Sequence, residues 1–171
     1  MRYYDITNIK ATDQRSKRLG FSRIFHNGTD IDVQDAGRPA RRCTIATGSN
    51  ESLLARSIKE RNVMGILPKN PPSKKLLAML ADTGKILFVN VNDTIKAEGS
   101  QQFKAIYLNR KTMHYCRKFK VAVSPITLAD SEEYLLSSKQ LAAFLKFLGF
   151  SGNDKIALNA LGAAYGKKNK E

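Results

Sequence analysis

The side chains that could do covalent or metal chemistry are few and far apart. His26 and His114 are the two histidines, and Cys43 and Cys116 the two cysteines. No Cys-x-x-Cys and no Cys/His cluster occurs, so a zinc site is not expected. Cys116 falls on the same helical face as Leu108 and Phe119, where a thiol behaves as a small core hydrophobe. Ser49, Ser124 and Ser137 have no neighbouring histidine to act as base, and there is no Gly-x-Ser-x-Gly. The run ATGSNES, from Ala46 to Ser52, has one glycine and no lysine after it, so it is not a P-loop. Asp5 stands alone at the end of a short strand. A single carboxylate there is expected to accept structural hydrogen bonds.

Positive charge, in contrast, is abundant. The 171 residues carry 29 Lys and Arg against 15 Asp and Glu, a formal net charge of +14. Solubility needs far less, so a polyanionic partner is the first expectation. From Gln101 to Lys120 there is no Pro, Gly or acid, and Lys104, Arg110, Lys111, Arg117, Lys118 and Lys120 lie within it. Ala105, Leu108, Thr112, Tyr115, Cys116 and Phe119 recur at helical spacing and predict the buried face. Lys104, Lys111 and Lys118 recur every seventh residue and form one stripe. Phe103, Ile106 and Tyr107 lie away from the core face, ahead of Arg110, His114 and Arg117. A solvated helix does not normally turn three large apolar groups outward. These three are expected to meet a protein partner, or else to pack under the Asp93–Ser100 connection. A second cationic group is Arg38, Arg41, Arg42, Arg56, Lys59, Arg61, Lys69, Lys74 and Lys75.

These cations need a scaffold, and the apolar pattern supplies one. Strands are predicted over Arg2–Ile6, Phe21–Phe25, Arg42–Thr47, Val63–Leu67, Ile86–Val91 and Val121–Ser124. Helices are predicted over Ile9–Leu19, Asn50–Arg61, from Ser73 to Gly84, over the basic stretch, and from Ser137 to Gly149. His26–Pro39 and Asp93–Gly99 read as loops. Ser137 with Gln140 forms a capping box, and Ser151 can cap a last helix from Asn153 to about Leu161. Strands that are nearly continuous apolar runs, alternating with helices, predict a parallel sheet covered on both faces. The pattern leaves open whether that sheet is doubly wound or barrel-shaped. In a parallel barrel, the loop bearing Lys69, Lys74 and Lys75 lies at the C-terminal ends of the strands, where sites usually form. The free N–H groups of the helix starting at Ser73 could add to a phosphate site there.

Three segments carry a family resemblance. "CTIATGSNESLLARSIKERNVMGILPKNP" is followed by the basic helix with "CRKFKVAVSPITLA", then by "YLLSSKQLAAFLKFLGF". In order and spacing, from about Arg42 to Leu161, this resembles the archaeal ribonuclease P protein component 3 family, the thirty-kilodalton subunit. The resemblance implies a barrel of the triosephosphate-isomerase type. A complete eightfold barrel needs more chain than this. A reduced or partly open (β/α) barrel with about six to seven mainly parallel strands is therefore expected, as one domain over residues 1–163, with a disordered basic tail over 164–171.

The resemblance also implies a function. Ribonuclease P removes 5′ leaders from precursor tRNA, and its RNA subunit, with magnesium ions, performs the cleavage. This chain would be a noncatalytic RNA-binding subunit of that endoribonuclease, with no bound cofactor of its own. Its partners would be the ribonuclease P RNA, a smaller subunit of ferredoxin-like, RNA-recognition-motif-like fold in a two-plus-two assembly, and other ribonuclease P proteins. The wider polymerase and histidinol phosphatase superfamily holds metal through a His-x-His after its first strand. Here the matching text is Tyr4-Asp5-Ile6-Thr7-Asn8, so that ligand set is missing. Family arginines at the start of the long helix and before the next one are replaced in "SQQFKAIYL", at Gln101, Gln102 and Tyr107, and in "LLSSKQL", where only Lys139 keeps the charge.

The expected RNA-contacting residues are thus Arg42, Arg56, Lys59, Lys69, Lys74, Lys75, Lys104, Arg110, Lys111, Arg117, Lys118 and Lys139. The start Met1-Arg-Tyr-Tyr-Asp is not a signal peptide, and the longest apolar run, Leu76–Ala81, is far short of the roughly 20 residues of a membrane span. Sparse, separated cysteines fit a reduced, cytoplasmic setting. Two other functions stay open: a small barrel enzyme acting on a phosphorylated metabolite, with Lys69, Lys74 and Lys75 as anion ligands, and a general RNA-binding protein.

Overall fold

The computed structural model describes residues 3–40, 43–149 and 160–166. Among these residues seven strands alternate with helices: β1 Tyr4–Thr7, α1 Asp13–Arg18, β2 Arg23–His26, β3 Asp32–Asp35, β4 Thr44–Gly48, α2 Glu51–Ile58, β5 Val63–Pro68, α3 Lys74–Thr83, β6 Ile86–Asn90, α4 Val91–Ile95, α5 Gly99–Phe119, β7 Ala122–Ile126 and α6 Ser138–Phe147. A short 3-10 turn, Glu132–Tyr134, precedes α6. These strands all pair in parallel. β3-β4-β5-β6-β7 form one sheet and β1-β2 a second.

Two seams join the sheets. After β7, Leu128 N–H donates to Ile6 O and Asn8 N–H to Ala129 O, at 2.8 and 2.9 Å. Beyond β2, Asn27 and Ile31 form an isolated parallel bridge next to β3. Neither seam is a regular ladder. The architecture is a parallel α/β fold of TIM type with seven strands among the described residues.

Alternation along the strands explains why both faces are covered. Ile45, Met64, Ile86, Phe88 and Ile126 point to an inner core with Ile6 and Phe25. Their neighbours Ala46, Val63, Ile66, Leu87, Val89 and Val123 point the other way, against Leu54, Ile58, Leu76, Leu77, Leu80, Leu141 and Leu145 from the helices. The two-residue period of a strand produces this division, except in β5, where Met64 and Ile66 face opposite cores beside an irregularity in the β4–β5 register. Gly65 sits where β5 meets β6, and a Cβ there would lie 2.0 Å from Ile86 O. Only glycine allows that approach.

The helix boundaries follow local chemistry. Asn50 caps α2 through Ser52 N–H and Leu53 N–H. Ser73 caps α3 through Leu76 N–H, and Gly84 ends it in the left-handed conformation at φ 64°. Ser137 and Gln140 close the expected capping box on α6.

Four expectations are corrected. The stretch read as loop over His26–Pro39 contains β3, whose Asp-Val-Gln-Asp sequence has no apolar run because it is a half-exposed edge paired only with β4. The Asp93–Gly99 connection is partly helix α4, capped by Asn90 through Asn92 N–H. On α5 the deeply buried residues are Thr112, Met113 and Cys116, so the covered face is rotated toward Met113. The expected tail does not begin at residue 164, because residues 160–166 are helical and the Tyr165 ring packs on Phe25 with centres 4.5 Å apart and planes tilted by 40°. Residues 167–171, and the expected helix start at Ser151, lie outside the described residues.

Candidate nucleic-acid interface

α5 is the element that displays most of the expected contacts. Its 21 residues span about 31 Å, against about 15 Å for the 10 residues of α3. Both helices end just before strands paired as Ile86 with Ala122. Their C-termini are therefore level, and the N-terminal half of α5 projects beyond the strand ends. α4 props this overhang: Asn109 Nδ2 donates to Thr94 Oγ1 at 2.9 Å, and Gln102 Nε2 reaches Thr94 O at 3.5 Å.

Lys104, Lys111 and Lys118 are all exposed along the helix, as the seven-residue spacing required. Phe103 is 75% exposed and Tyr107 64%, so neither packs under the preceding connection. Ile106 is different. It is half-buried against the main core, so it is not part of an outward patch.

Side-chain contacts fix the neighbours of α5. Toward α3, Lys74 Nζ lies 6.0 Å from the Tyr115 ring centre. Toward α6, the Arg110 guanidinium lies 5.7 Å from the Phe147 ring centre, and Arg117 donates to Gly149 O. Arg56 and Lys59 stand exposed at the end of α2, Lys69 after β5, Lys74 and Lys75 in the first turn of α3, and Lys139 in the first turn of α6. The structure thus spreads the expected cations over both ends of the strands and along α5. Arg42 lies outside the described residues.

A cleft of about 180 Å³ opens between the overhang and the ends of β5 and β6. Lys69, Asn90, Asp93, Thr94 and Asn109 line it, whereas Lys74 and Lys75 do not. Burial pushes the Asp93 carboxyl up, while Lys96 and Lys69 pull it down. This volume is below the roughly 300–1,000 Å³ usual for small-molecule sites.

Sequence reasoning missed the acidic company of the cations at this end. Lys96 Nζ bonds Asp130 Oδ1 at 2.7 Å and sits 4.0 Å from the Tyr134 ring centre. That hydrogen bond holds the Asp130 carboxyl below its ordinary value. Arg15 pairs with Glu132. Glu51 accepts the N–H of Ser73 at 2.6 Å, tying the start of α3 to that of α2.

The isolated carboxylate behaves as expected. Asp5 is fully buried and accepts from Ile6 N–H and Thr127 N–H at 2.8 Å and from Thr127 Oγ1 at 2.7 Å. It is a clamp across the seam between β1 and the chain after β7. Among the described residues no group of three or more His, Cys, Asp or Glu is placed to hold a metal ion. Cys116 is buried, and burial pushes its thiol up to about 12. No described helix is long and apolar enough to cross a membrane.

No family model matches the chain, and no curated protein does. A chain in a solved structure described as "cryo-EM structure of archaeal Ribonuclease P with mature tRNA" is similar to it, with a TM-score of 0.72 and 10% sequence identity. The match covers 98% of this chain and 80% of that one. At this identity the likeness shows the fold.

Proposed function

We propose that this chain is an RNA-binding protein subunit of a ribonuclease P of the archaeal type, assisting removal of 5′ leaders from precursor tRNA. The observation that carries the reading is a +14 surplus of charge on a scaffold with the fold of a chain from such a complex. In this role the RNA subunit and its magnesium ions cleave, and the protein contributes no catalytic residue and binds no cofactor. It works in the cytoplasm beside a smaller ferredoxin-like subunit, in a two-plus-two assembly, and other ribonuclease P proteins.

Electrostatics supplies the mechanism. A folded RNA crowds its phosphates, and cations fixed on a rigid body neutralise them without the entropy cost of gathering free ions. Arg56, Lys59, Lys69, Lys74, Lys75, Lys104, Arg110, Lys111, Arg117, Lys118 and Lys139 are the groups proposed to contact phosphate, together with Arg42. Phe103 and Tyr107, on the overhang of α5, are proposed to meet the protein partner. The alternative of a phosphorylated small-molecule substrate is less well supported, because the cleft is small and only one of its three expected lysines lines it.

Reconstitution tests the proposal. Adding the chain and its partner to the ribonuclease P RNA should restore precursor-tRNA cleavage at a magnesium concentration where the RNA alone is inactive. An unchanged cleavage rate would reject it.

A further inference from the structure

The two ends of the molecule differ in charge, and the difference is larger than helix chemistry requires. In a parallel α/β fold all helices between consecutive strands run back alongside the sheet, so their C-termini share one end. Here α2 adjoins α3 and α3 adjoins α5. Arg117 on α5 donates to Gly149 O just past α6, and Lys85 Nζ donates to Glu60 O, linking the turn after α3 to that after α2. The four C-terminal ends therefore stand in a row. With neighbouring helices about 10 Å apart, the row is about 30 Å long.

This row exposes Arg56 and Lys59 from α2, Arg117, Lys118 and Lys120 from α5, and Lys146 from α6. Glu60 and Asp82 are the acids on the same turns, and Glu60 is half-buried with its carboxylate turned to the Ala40 N–H. At the opposite end acids offset several of the cations: Lys96 pairs with Asp130, Lys69 lies near Asp93, and the α2 and 3-10 starts carry Glu51, Glu132 and Glu133, while Lys74, Lys75 and Lys139 stand in first turns that hold no acid.

A cation in the last turn of a helix complements its dipole by about 0.3–1 kcal/mol. That accounts for one charge per helix. It does not account for Arg117, Lys118 and Lys120 within four positions, where each added charge repels the last. Such crowding becomes favourable against a polyanion, whose condensed counterions it displaces.

We infer that the row of helix C-termini, on the side away from the strand C-termini and the overhang of α5, is the surface that docks the phosphate backbone of a double-helical RNA segment. This rests on the RNA-binding reading above and makes it specific. The usual site of a TIM-type fold, at the strand C-termini, holds a small cleft by β5 and β6 with Lys69 and Asp93, and a wider recess by β3 and β4 whose charged lining is Asp32, Asp35 and Arg38. The two ends then divide the work: the RNA duplex is seated mainly below, with Lys69, Lys74, Lys75 and Lys139 at its margin, and the overhanging Phe103 and Tyr107 lie above.

The test compares two charge-neutralising triples in the full chain, with a fluorescent RNA stem-loop as probe and binding measured across a salt series. One triple is Arg56→Gln, Lys59→Gln and Lys118→Gln, and the other is Lys74→Gln, Lys75→Gln and Lys139→Gln. Glutamine keeps helix propensity, and a thermal melt of each variant confirms folding. The first triple should lower affinity at least tenfold and make the log–log salt slope shallower by about 2–3. The second removes contacts at the margin of that surface and should lower affinity by no more than about threefold, with a slope change of about 1 or less. Equal losses in both, or the larger loss in the second, would overturn the inference while leaving RNA binding intact. Failure of the unmodified chain to bind the stem-loop would instead remove both readings.

Discussion

Asp5 shows how one residue's environment sets its behaviour. Burial raises its carboxyl from an ordinary 3.8 to about 6, against the opposing pull of the bonds from Thr127 and Ile6. The folded state therefore holds the proton more tightly than the unfolded chain does. This stabilisation is complete below about pH 4 and is lost as pH rises through about 6. A difference of that size between the folded and unfolded carboxyl is worth about 3 kcal/mol. Asp5→Asn keeps an acceptor for the Thr127 N–H and cannot ionise. Urea titrations at several pH values should show that the stability difference between the original chain and this variant changes between pH 4 and 6 and is flat above 7. A constant difference across that range would mean the carboxyl is not buried. That Asp5 would be structural was legible from its isolation in the sequence. Its partner was not, because Thr127 is 122 positions away and only the seam brings them together.

At the scale of elements, α5 tests how far periodicity reaches. The helix, its seven-residue lysine stripe and the cap chemistry of α2, α3 and α6 were all readable from spacing, because they depend on neighbours within a turn or two. Which of its outward apolar residues are free depends on what packs beside it. Phe103 and Tyr107 are solvent-facing, while Ile106 leans on the core. Phe103→Asp should change stability by less than about 0.5 kcal/mol, as exposed substitutions do. Ile106→Asp places a carboxylate against apolar neighbours and should cost about 2 kcal/mol or more. Denaturant melts separate the two. If Phe103 meets the smaller protein subunit, Phe103→Asp should also abolish co-purification of that subunit while leaving the melt unchanged. β3 and α4 were missed for the complementary reason. Both are short: β3 is polar and is fixed by pairing with β4, and α4 is a five-residue helix capped by Asn90, too brief to show a hydrophobic period.

For the whole molecule, net charge predicts a measurable quantity. With about six to eight phosphates neutralised, log affinity for RNA against log salt should fall with a slope steeper than about −4. A slope near zero would mean that the surplus charge does not face the nucleic acid. The sequence by itself determined the quantity of positive charge and the alternation of strand and helix, since these are properties of composition and local spacing. It could not order charges in space. Parallel strands send every intervening helix back to the same end, and this sorts residues far apart in the chain by whether they sit at a helix start or a helix finish. Only the tertiary structure decided that Arg56, Lys59 and Lys118 share one end, while Lys69 and Lys96 sit beside acids at the other.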